Sequence, residues 1–284
     1  MNRLQAGRHE LQTHHSDNTR ASQLRETLVR AIAGGLLAVL IALVARRTRT
    51  LSTGGALSGA LVGTLAIAAG WSWGLLLISF FVSGSALSKL GERKKAAVLS
   101  AVIQPGGERN ARQVMANGGV YALSALGFLA FPSPFWYATG IGALAASTAD
   151  TWATEIGTLF GGEPVSLTSG RKVPPGTSGG VTFVGTLAGI GGALFIAAAA
   201  TIADWPVPFA AAALGGVAGA LADSLLGATL QARRWCEVCA ESTERLVHSC
   251  GTPTRHAGGV AGFDNDAVNV VCSAVGALVA LLLS

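Results

Sequence analysis

Apolar segments alternate with short polar loops along most of this chain. A membrane-spanning helix needs about 20 mostly apolar residues. The segments that meet or approach this length are 27–45, 51–70, 71–90, 118–132, 135–160, 181–203, 207–231 and 266–283. The pattern therefore predicts an all-α fold, a multi-pass transmembrane helical bundle of about eight spans formed by residues 27–284.

The residues before the first apolar segment have a different character. Residues 1–26 are polar, include several arginines and contain no early apolar run. This polar stretch is too long for the first region of a cleaved signal peptide. We therefore expect 1–26 to be a disordered tail, and the sequence indicates no second, soluble domain.

The composition indicates that part of the protein surface faces lipid rather than water. Half of the 284 residues are hydrophobic and only 12% are charged, against about 25% in an ordinary soluble domain. Too few polar residues remain to cover a water-exposed surface. The 38 glycines suit close helix–helix approach in a bilayer. These features predict an integral membrane protein, in the cell membrane if the chain is bacterial.

The distribution of Lys and Arg predicts the orientation. Outside the N-terminal tail, nearly all of them fall in the loops near 46–50, 91–117, 161–180 and 232–263. Eight spans place these four loops on one side of the membrane, and the excess of positive charge marks that side as cytoplasmic. No basic patch interleaved with aromatic residues is present, so nucleic acid is not an expected partner.

Two carboxylates interrupt apolar helices. Asp150 shares a helix face with Ser147, Thr151 and Thr154, which follow the spacing i, i+3, i+4 and i+7. Asp223 follows a long run of uncharged residues. Acidic residues at membrane depth are costly and usually mark a site or pathway. The alternatives are a helix end that emerges into water and a structural hydrogen bond between helices.

A third acidic cluster opens the last helix with Asp264 and Asp266. Taken alone, these residues fit ordinary helix capping, because acids favour helix N-termini. All three clusters, however, belong to the same predicted membrane face. Mg²⁺ binds carboxylate oxygens together with substrate phosphates. We therefore predict Asp150 and Asp223 as catalytic metal ligands, with Asp264 and Asp266 as further Mg²⁺ ligands.

The loops on this face carry candidate phosphate-binding residues. They are Arg109, Asn110, Arg112, Lys172, Thr177 and Ser178. The last two belong to a Gly- and Pro-rich stretch before a helix, where free backbone N–H groups favour an anion. This stretch is not a Walker A motif. For the Lys and Arg residues, the alternative is that they only set the membrane topology.

The loop 232–263 contains a compact group of metal-ligand residues. Cys236 and Cys239 form a Cys-x-x-Cys pair, and His248 and Cys250 follow close behind. Four nitrogen and sulfur ligands in one loop are typical of a closed structural Zn²⁺ site. Thiol redox chemistry is the alternative. Cys272 stands in an apolar helix, where we expect it to be a small packing residue.

Five stretches of the chain resemble an integral membrane family that contains transmembrane protein 19 and the chloroplast phytyl-phosphate kinase. They are 109–114, 149–157, 175–182, 222–231 and 265–269. The resemblance implies a kinase that transfers a phosphoryl group from a nucleoside triphosphate, with CTP as one candidate, to a phytyl or prenyl monophosphate. It also implies that the acidic residues hold Mg²⁺ and that Arg109, Arg112 and Lys172 bind phosphates.

The motifs are also distantly similar to those of CDP-diacylglycerol synthases and polyprenol kinases. Two features depart from that pattern, since Ala222 stands where a glycine precedes the aspartate and a downstream Lys-Asp pair is absent. A cytidylyltransferase acting on a lipid phosphate is therefore one alternative function. The other is an ion-coupled transporter in which Asp150 and Asp223 bind the coupling ion.

Overall fold

The computed structural model describes residues 3–99 and 107–284, with side chains from residue 25 onward. Within these ranges the helices are α1 (Arg3–Arg47), α2 (Thr53–Ala69), α3 (Trp71–Lys89), α4 (Glu92–Leu99), α5 (Ala111–Ala130), α6 (Pro134–Phe160), α7 (Phe183–Ile202), α8 (Phe209–Thr229) and α9 (Asn265–Leu282). The strands are β1 (Val165–Ser166), β2 (Gly180–Val181), β3 (Arg233–Cys236), β4 (Glu241–Thr243) and β5 (Arg255–Gly258). The predicted all-α membrane bundle is confirmed, with two small sheets added in its loops.

Each of the predicted apolar segments coincides with a helix. By length and composition, five helices of the described part can cross a membrane: Arg25–Arg47 within α1, and α3, α7, α8 and α9. The shorter α2 is also apolar. The count of eight spans stays a prediction. Residues 3–26, expected to be a disordered tail, are helical in the structure as the first part of α1. Residues 1–2 of that tail, and 100–106 of the predicted loop 91–117, lie outside the described residues.

The helix α5 begins earlier than its hydrophobic pattern suggests. Its first residue is Ala111, whereas the apolar run begins near residue 118. A capping box explains the difference, because the Asn110 side chain accepts from the Gln113 N–H and the Gln113 side chain accepts from the Asn110 N–H. This reciprocal pair satisfies two free donors at the helix start.

The helix α6 is the central element of the bundle. It packs against α3, α5, α7, α8 and α9, and all of its residues from Gly140 to Ala149 are buried. Small residues allow this crowding. A Cβ atom added to Gly142 would lie 2.2 Å from the carbonyl oxygen of Gly276 in α9. The backbones of α6 and α9 are therefore in direct contact, as small residues permit in membrane bundles.

One end of the bundle is closed by aromatic residues. Trp73 is fully buried and packs against Tyr121, Phe128, Tyr137 and Trp205. The hydroxyl of Tyr121 donates to the carbonyl of Trp73 over 2.7 Å. Trp and Tyr rings are enriched at membrane interfaces. The polar loops lie at the other end.

The Lys- and Arg-rich loops meet at that other end. Contacts between them are Arg46 with Glu108, Arg112 with Asp264, and Ser178 with Glu244. These pairs link the end of α1 to the start of α5, the start of α5 to the start of α9, and the loop between α6 and α7 to the loop between α8 and α9. The loops that the sequence assigns to one membrane face are thus neighbours in space.

The two sheets form within these loops. The strands β1 and β2 pair antiparallel between α6 and α7. The strands β3, β4 and β5 form an antiparallel sheet, in the order β4-β3-β5, between α8 and α9. The sequence predicted loops here because each strand has only two to four residues, too few for a clear alternating pattern.

Candidate functional site

A cavity of about 410 Å³ lies at the polar end of the bundle. Its walls are the C-terminal half of α6, the start of α7, the end of α8 and the loops that follow α6 and α8. The charged residues in its described lining are Asp150, Asp223 and Glu244. No Lys, Arg or His is found in that lining. The cavity is therefore acidic and suited to a cation.

The structure brings together the two carboxylates that the sequence singled out. The side chains of Asp150 in α6 and Asp223 in α8 both line this cavity and lie next to each other. The Oδ2 atom of Asp223 is buried and has no hydrogen-bond partner among the described residues. Two adjacent carboxylates need a proton or a cation between them, and an unpaired buried acceptor is costly. This donor set fits a divalent cation.

The third carboxylate, Glu244, was missed by the sequence analysis. It follows β4 directly, and its side chain accepts a hydrogen bond from the hydroxyl of Ser178. Burial raises the pKa of Glu244, while hydrogen bonds with Ser178 and Gln231 act in the opposite direction. Only the folding of two distant loops onto each other brings Glu244 to the cavity.

The loop before α7 supplies the other predicted cavity residues, Thr177 and Ser178. Gly179 fixes this loop against the end of α8. Its φ is +73°, and a Cβ atom there would lie 2.3 Å from the Cβ of Ala228. Both the positive φ and the close approach require glycine. The loop is therefore pressed onto the same helix that carries Asp223.

Asp264 and Asp266 are not in the described lining of the acidic cavity, although Asn265 between them is. Arg112 lies 2.7 Å from Asp264 Oδ2 and 3.4 Å from Asp266 Oδ2. The Oδ1 atom of Asp264 also accepts from the N–H of Ala267 and so caps α9. Asp264 therefore caps α9, and Arg112 contacts the two carboxylates outside the described cavity lining.

Lys172 also lies outside the described cavity lining. Its ammonium group is 2.6 Å from the carboxylate of Glu163, and both side chains are exposed. The hydrogen bond between them raises the pKa of Lys172 and lowers that of Glu163. An exposed pair of this kind contributes little to stability, so Lys172 remains free to exchange its partner for another anion.

Arg109 lines a second, smaller cavity of about 130 Å³. Apolar residues of α1, α2, α3 and α5 form most of its walls, and Arg109, Asn117 and Thr151 belong to its polar part. The guanidinium of Arg109 also donates to Ser88 over 3.0 Å. The helix α6 contributes Thr151 to this cavity and the adjacent Asp150 to the acidic one.

A buried ion pair stands beside these cavities. Lys95 of α4 pairs with Glu155 of α6, and its ammonium group also donates to the carbonyls of Leu87 and Ser88 over 2.8 Å each. Ser88 also donates to Glu155. Lys95 therefore satisfies the C-terminal end of α3, a role that loop charge alone does not reveal.

The four predicted zinc ligands form a compact cluster. The ligand atoms of Cys236, Cys239, His248 and Cys250 all lie within 4.8 Å of one another. Cys236 and His248 are buried, and His248 Nδ1 is 3.3 Å from Cys250 Sγ. All four cysteines of the chain are free thiols. Three thiols and an imidazole so arranged could hold a metal ion. Cys272 is buried in α9, away from the cluster.

Comparisons with known proteins agree with this architecture. Residues 36–277 match the family described as "Integral membrane protein DUF92". The chain is 32% identical over 273 residues to Protein PGR of Arabidopsis thaliana, covering 85% of this chain and 92% of that protein. An uncharacterised membrane protein of Methanocaldococcus jannaschii is 34% identical over 211 residues, covering 72% and 85%. Protein VTE6, chloroplastic, of Arabidopsis thaliana is 28% identical over 242 residues, covering 82% and 65%. No solved structure matches significantly.

Proposed function

Because this chain belongs to the integral membrane family DUF92, as its motifs predicted, we propose that it is a membrane kinase for isoprenoid monophosphates. It transfers a phosphoryl group from a nucleoside triphosphate, with CTP as a candidate, to a phytyl or prenyl phosphate. The observation that carries the proposal is the contact between Asp150 and Asp223 in a cavity closed by the loop of Thr177 and Ser178.

The proposed reaction forms one bond and breaks one. An oxygen of the lipid monophosphate attacks the γ-phosphorus of the nucleotide, and the bond from that phosphorus to the β–γ bridging oxygen breaks. The products are the lipid diphosphate and the nucleoside diphosphate, and the total charge is unchanged. Such a transfer needs positioning and charge neutralisation more than covalent help from the protein.

The residues of the acidic cavity fit these needs. Mg²⁺ held by Asp150 and Asp223 would neutralise charge on the nucleotide phosphates. The backbone N–H of Ser178 would donate to a remaining phosphate oxygen. The N–H and hydroxyl of Thr177 donate to the Pro174 carbonyl and the Ser178 hydroxyl donates to Glu244, so these groups hold the loop in shape. The cavity faces the cytoplasm in this proposal, since the surrounding loops concentrate Lys and Arg and nucleotides are abundant on that side.

The smaller cavity is the proposed binding site for the prenyl phosphate. Its walls from α1, α2, α3 and α5 are apolar, as a prenyl tail requires. Arg109 at its polar part would bind the phosphate head. The first carbons of the tail would lie in this cavity and the rest among the bilayer lipids. The acceptor would thus approach α6 beside Thr151, next to Asp150.

Product analysis tests the proposal. Protein purified in detergent is given a panel of prenyl phosphates with CTP labelled at either the γ- or the α-phosphorus. We expect γ-label in a lipid diphosphate. Recovery of α-label in a CDP-lipid would instead identify a cytidylyltransferase. Ion-driven solute uptake in liposomes, with no covalent lipid product from any nucleoside triphosphate, would identify a transporter.

We further propose that the cluster of Cys236, Cys239, His248 and Cys250 holds a structural Zn²⁺. Purified protein is expected to contain about one zinc per chain, and Cys236→Ser should lower both zinc content and folded yield, because closed zinc sites contribute folding free energy. Elemental analysis and size-exclusion chromatography measure the two quantities. Cys272→Ala, outside the cluster, should keep the zinc. Metal-free protein that is fully folded and active would contradict the proposal.

A further inference from the structure

The sheet of β3, β4 and β5 carries both the metal-ligand cluster and one wall of the acidic cavity. Cys236 is the last residue of β3 and pairs in register with Glu241, the first residue of β4. Glu244 follows the end of β4 and precedes His248 in the chain. The segment that bears Glu244 is therefore bounded on both sides by cluster residues.

This segment has little apolar packing to hold it in place. Val238, Leu246 and Val247 are 71%, 71% and 50% exposed. The buried residues of the segment include Cys236 and His248, both members of the cluster. A small sheet without a hydrophobic core needs another cross-link to hold one conformation. A metal ion joining four side chains would supply it.

The surroundings of His248 point to a metal ligand. Its Nδ1 atom faces Cys250 Sγ at 3.3 Å. Its Nε2 atom is buried without a hydrogen-bond partner among the described residues, and the nearest carboxylate oxygen, Glu241 Oε2, lies 3.5 Å away. Metal-bound histidines commonly direct their second nitrogen at a carboxylate, which orients the ring. Nδ1 would bind the metal and the Nε2–H would face Glu241.

Glu244 reaches the cavity from this sheet. Its carboxylate accepts from the Ser178 hydroxyl and interacts electrostatically with Asp223. Asp150 and Asp223 come from helices of the bundle, whereas Glu244 depends on the small sheet for its position. A carboxylate brought beside two others adds unfavourable repulsion unless a cation is present. Its placement is favourable if all three share a divalent ion.

We propose that Zn²⁺ bound by Cys236, Cys239, His248 and Cys250 positions Glu244 as a third ligand of the divalent cation held by Asp150 and Asp223. The inference rests on the proposed function in taking the acidic cavity as a cation site and the four-residue cluster as a zinc site. The zinc itself does not enter the cavity. Its removal weakens cation binding there through the displacement of Glu244.

Manganese binding in the full chain tests this without measuring catalysis. Mn²⁺ affinity is measured by electron paramagnetic resonance on detergent-purified protein, and zinc content by elemental analysis. Glu244→Gln should keep its zinc and bind Mn²⁺ at least about tenfold more weakly, because the loss of a group that merely supports the ligands already costs about that much. The control Glu237→Gln alters an exposed glutamate of the same segment, paired with Arg255, and should change neither quantity.

The link between the two sites is tested by combining zinc removal with the Glu244→Gln substitution and comparing the separate and joint effects on Mn²⁺ affinity. Zinc is removed with a chelator, which is then washed out before Mn²⁺ titration. Zinc removal should weaken Mn²⁺ binding in the wild type by a factor close to that of Glu244→Gln. It should cause little further loss in Glu244→Gln itself, because the affected group is already gone.

Each result decides between the proposals. Wild-type Mn²⁺ affinity in Glu244→Gln would overturn the role of Glu244, and a simultaneous loss of binding in Asp150→Asn would leave the proposed cation site standing. Equal weakening by zinc removal in wild type and Glu244→Gln would overturn the coupling. Failure of the wild type to bind Mn²⁺ at all would overturn the cation site and this inference together.

Discussion

Replacing either Asp150 or Asp223 with asparagine should abolish phosphorylation of lipid phosphates. The expected fall in kcat is at least about 10²–10³-fold, the typical cost of removing one preorganised group that stabilises transition-state charge. Asparagine keeps the size of the side chain and one acceptor oxygen but removes the negative charge that attracts Mg²⁺. The measurement is the rate of γ-label transfer to a prenyl phosphate at saturating nucleotide.

Thermal unfolding separates this loss from misfolding. Both variants should insert and fold, and their metal-free forms should be at least as stable as the wild type, because one of two contacting carboxylates has become neutral. Mg²⁺ should raise the Tm of the wild type and not that of the variants, since a ligand stabilises only the state that binds it.

A matched control uses an aspartate at the aromatic end of the bundle. Asp204 lies between α7 and α8 with φ +54°, a conformation that asparagine tolerates well. Asp204→Asn should therefore retain activity and the Mg²⁺ response. Full kinase activity in both Asp150→Asn and Asp223→Asn would show that the metal assignment is wrong. Loss of ion-coupled uptake in these variants, without any lipid product, would support the transporter.

The sequence revealed the features that depend on local pattern. Apolar runs located the helices, because the bilayer requires long stretches with satisfied backbone hydrogen bonds. Asp150 and Asp223 were recognisable because a carboxylate in an apolar helix needs a specific partner. The cluster that could hold a metal ion was recognisable because Cys236, Cys239, His248 and Cys250 lie close together in the chain and need little tertiary information to meet.

Features that depend on contacts between loops were not recognisable. Glu244 belongs to a polar loop with other acidic residues, and its partner Ser178 is 66 residues away. Likewise, Arg112 and Lys172 were expected to bind phosphates, but nothing in loop composition shows that carboxylates from Asp264 and Glu163 neutralise them. Charge counts grouped these loops at one end of the bundle and could not assign individual partners.

The loop that carries Ser178 allows a test of how precisely the cavity residues must be positioned for activity. Gly179→Ala and Gly170→Ala change glycines of similar backbone geometry in the same loop, with φ of +73° and +65°. Either alanine adds roughly 1–2 kcal/mol of backbone strain. At Gly170 a Cβ would have nothing within 4 Å, whereas at Gly179 it would lie 2.3 Å from Ala228 Cβ and 2.4 Å from the Ala228 nitrogen.

Only Gly179→Ala should therefore displace the loop from α8 and separate Ser178 from Glu244. Since misplacement by about 1 Å can cost about 10²-fold in rate, we expect at least that loss in kcat for Gly179→Ala and near-wild-type kcat for Gly170→Ala. The two variants should lose similar amounts of Tm from strain, with a further loss at Gly179.

Equal losses of activity in both would assign the effect to backbone strain. Full activity in both would show that contact between this loop and α8 is not needed for the reaction, because the added Cβ at Gly179 cannot be accommodated without movement.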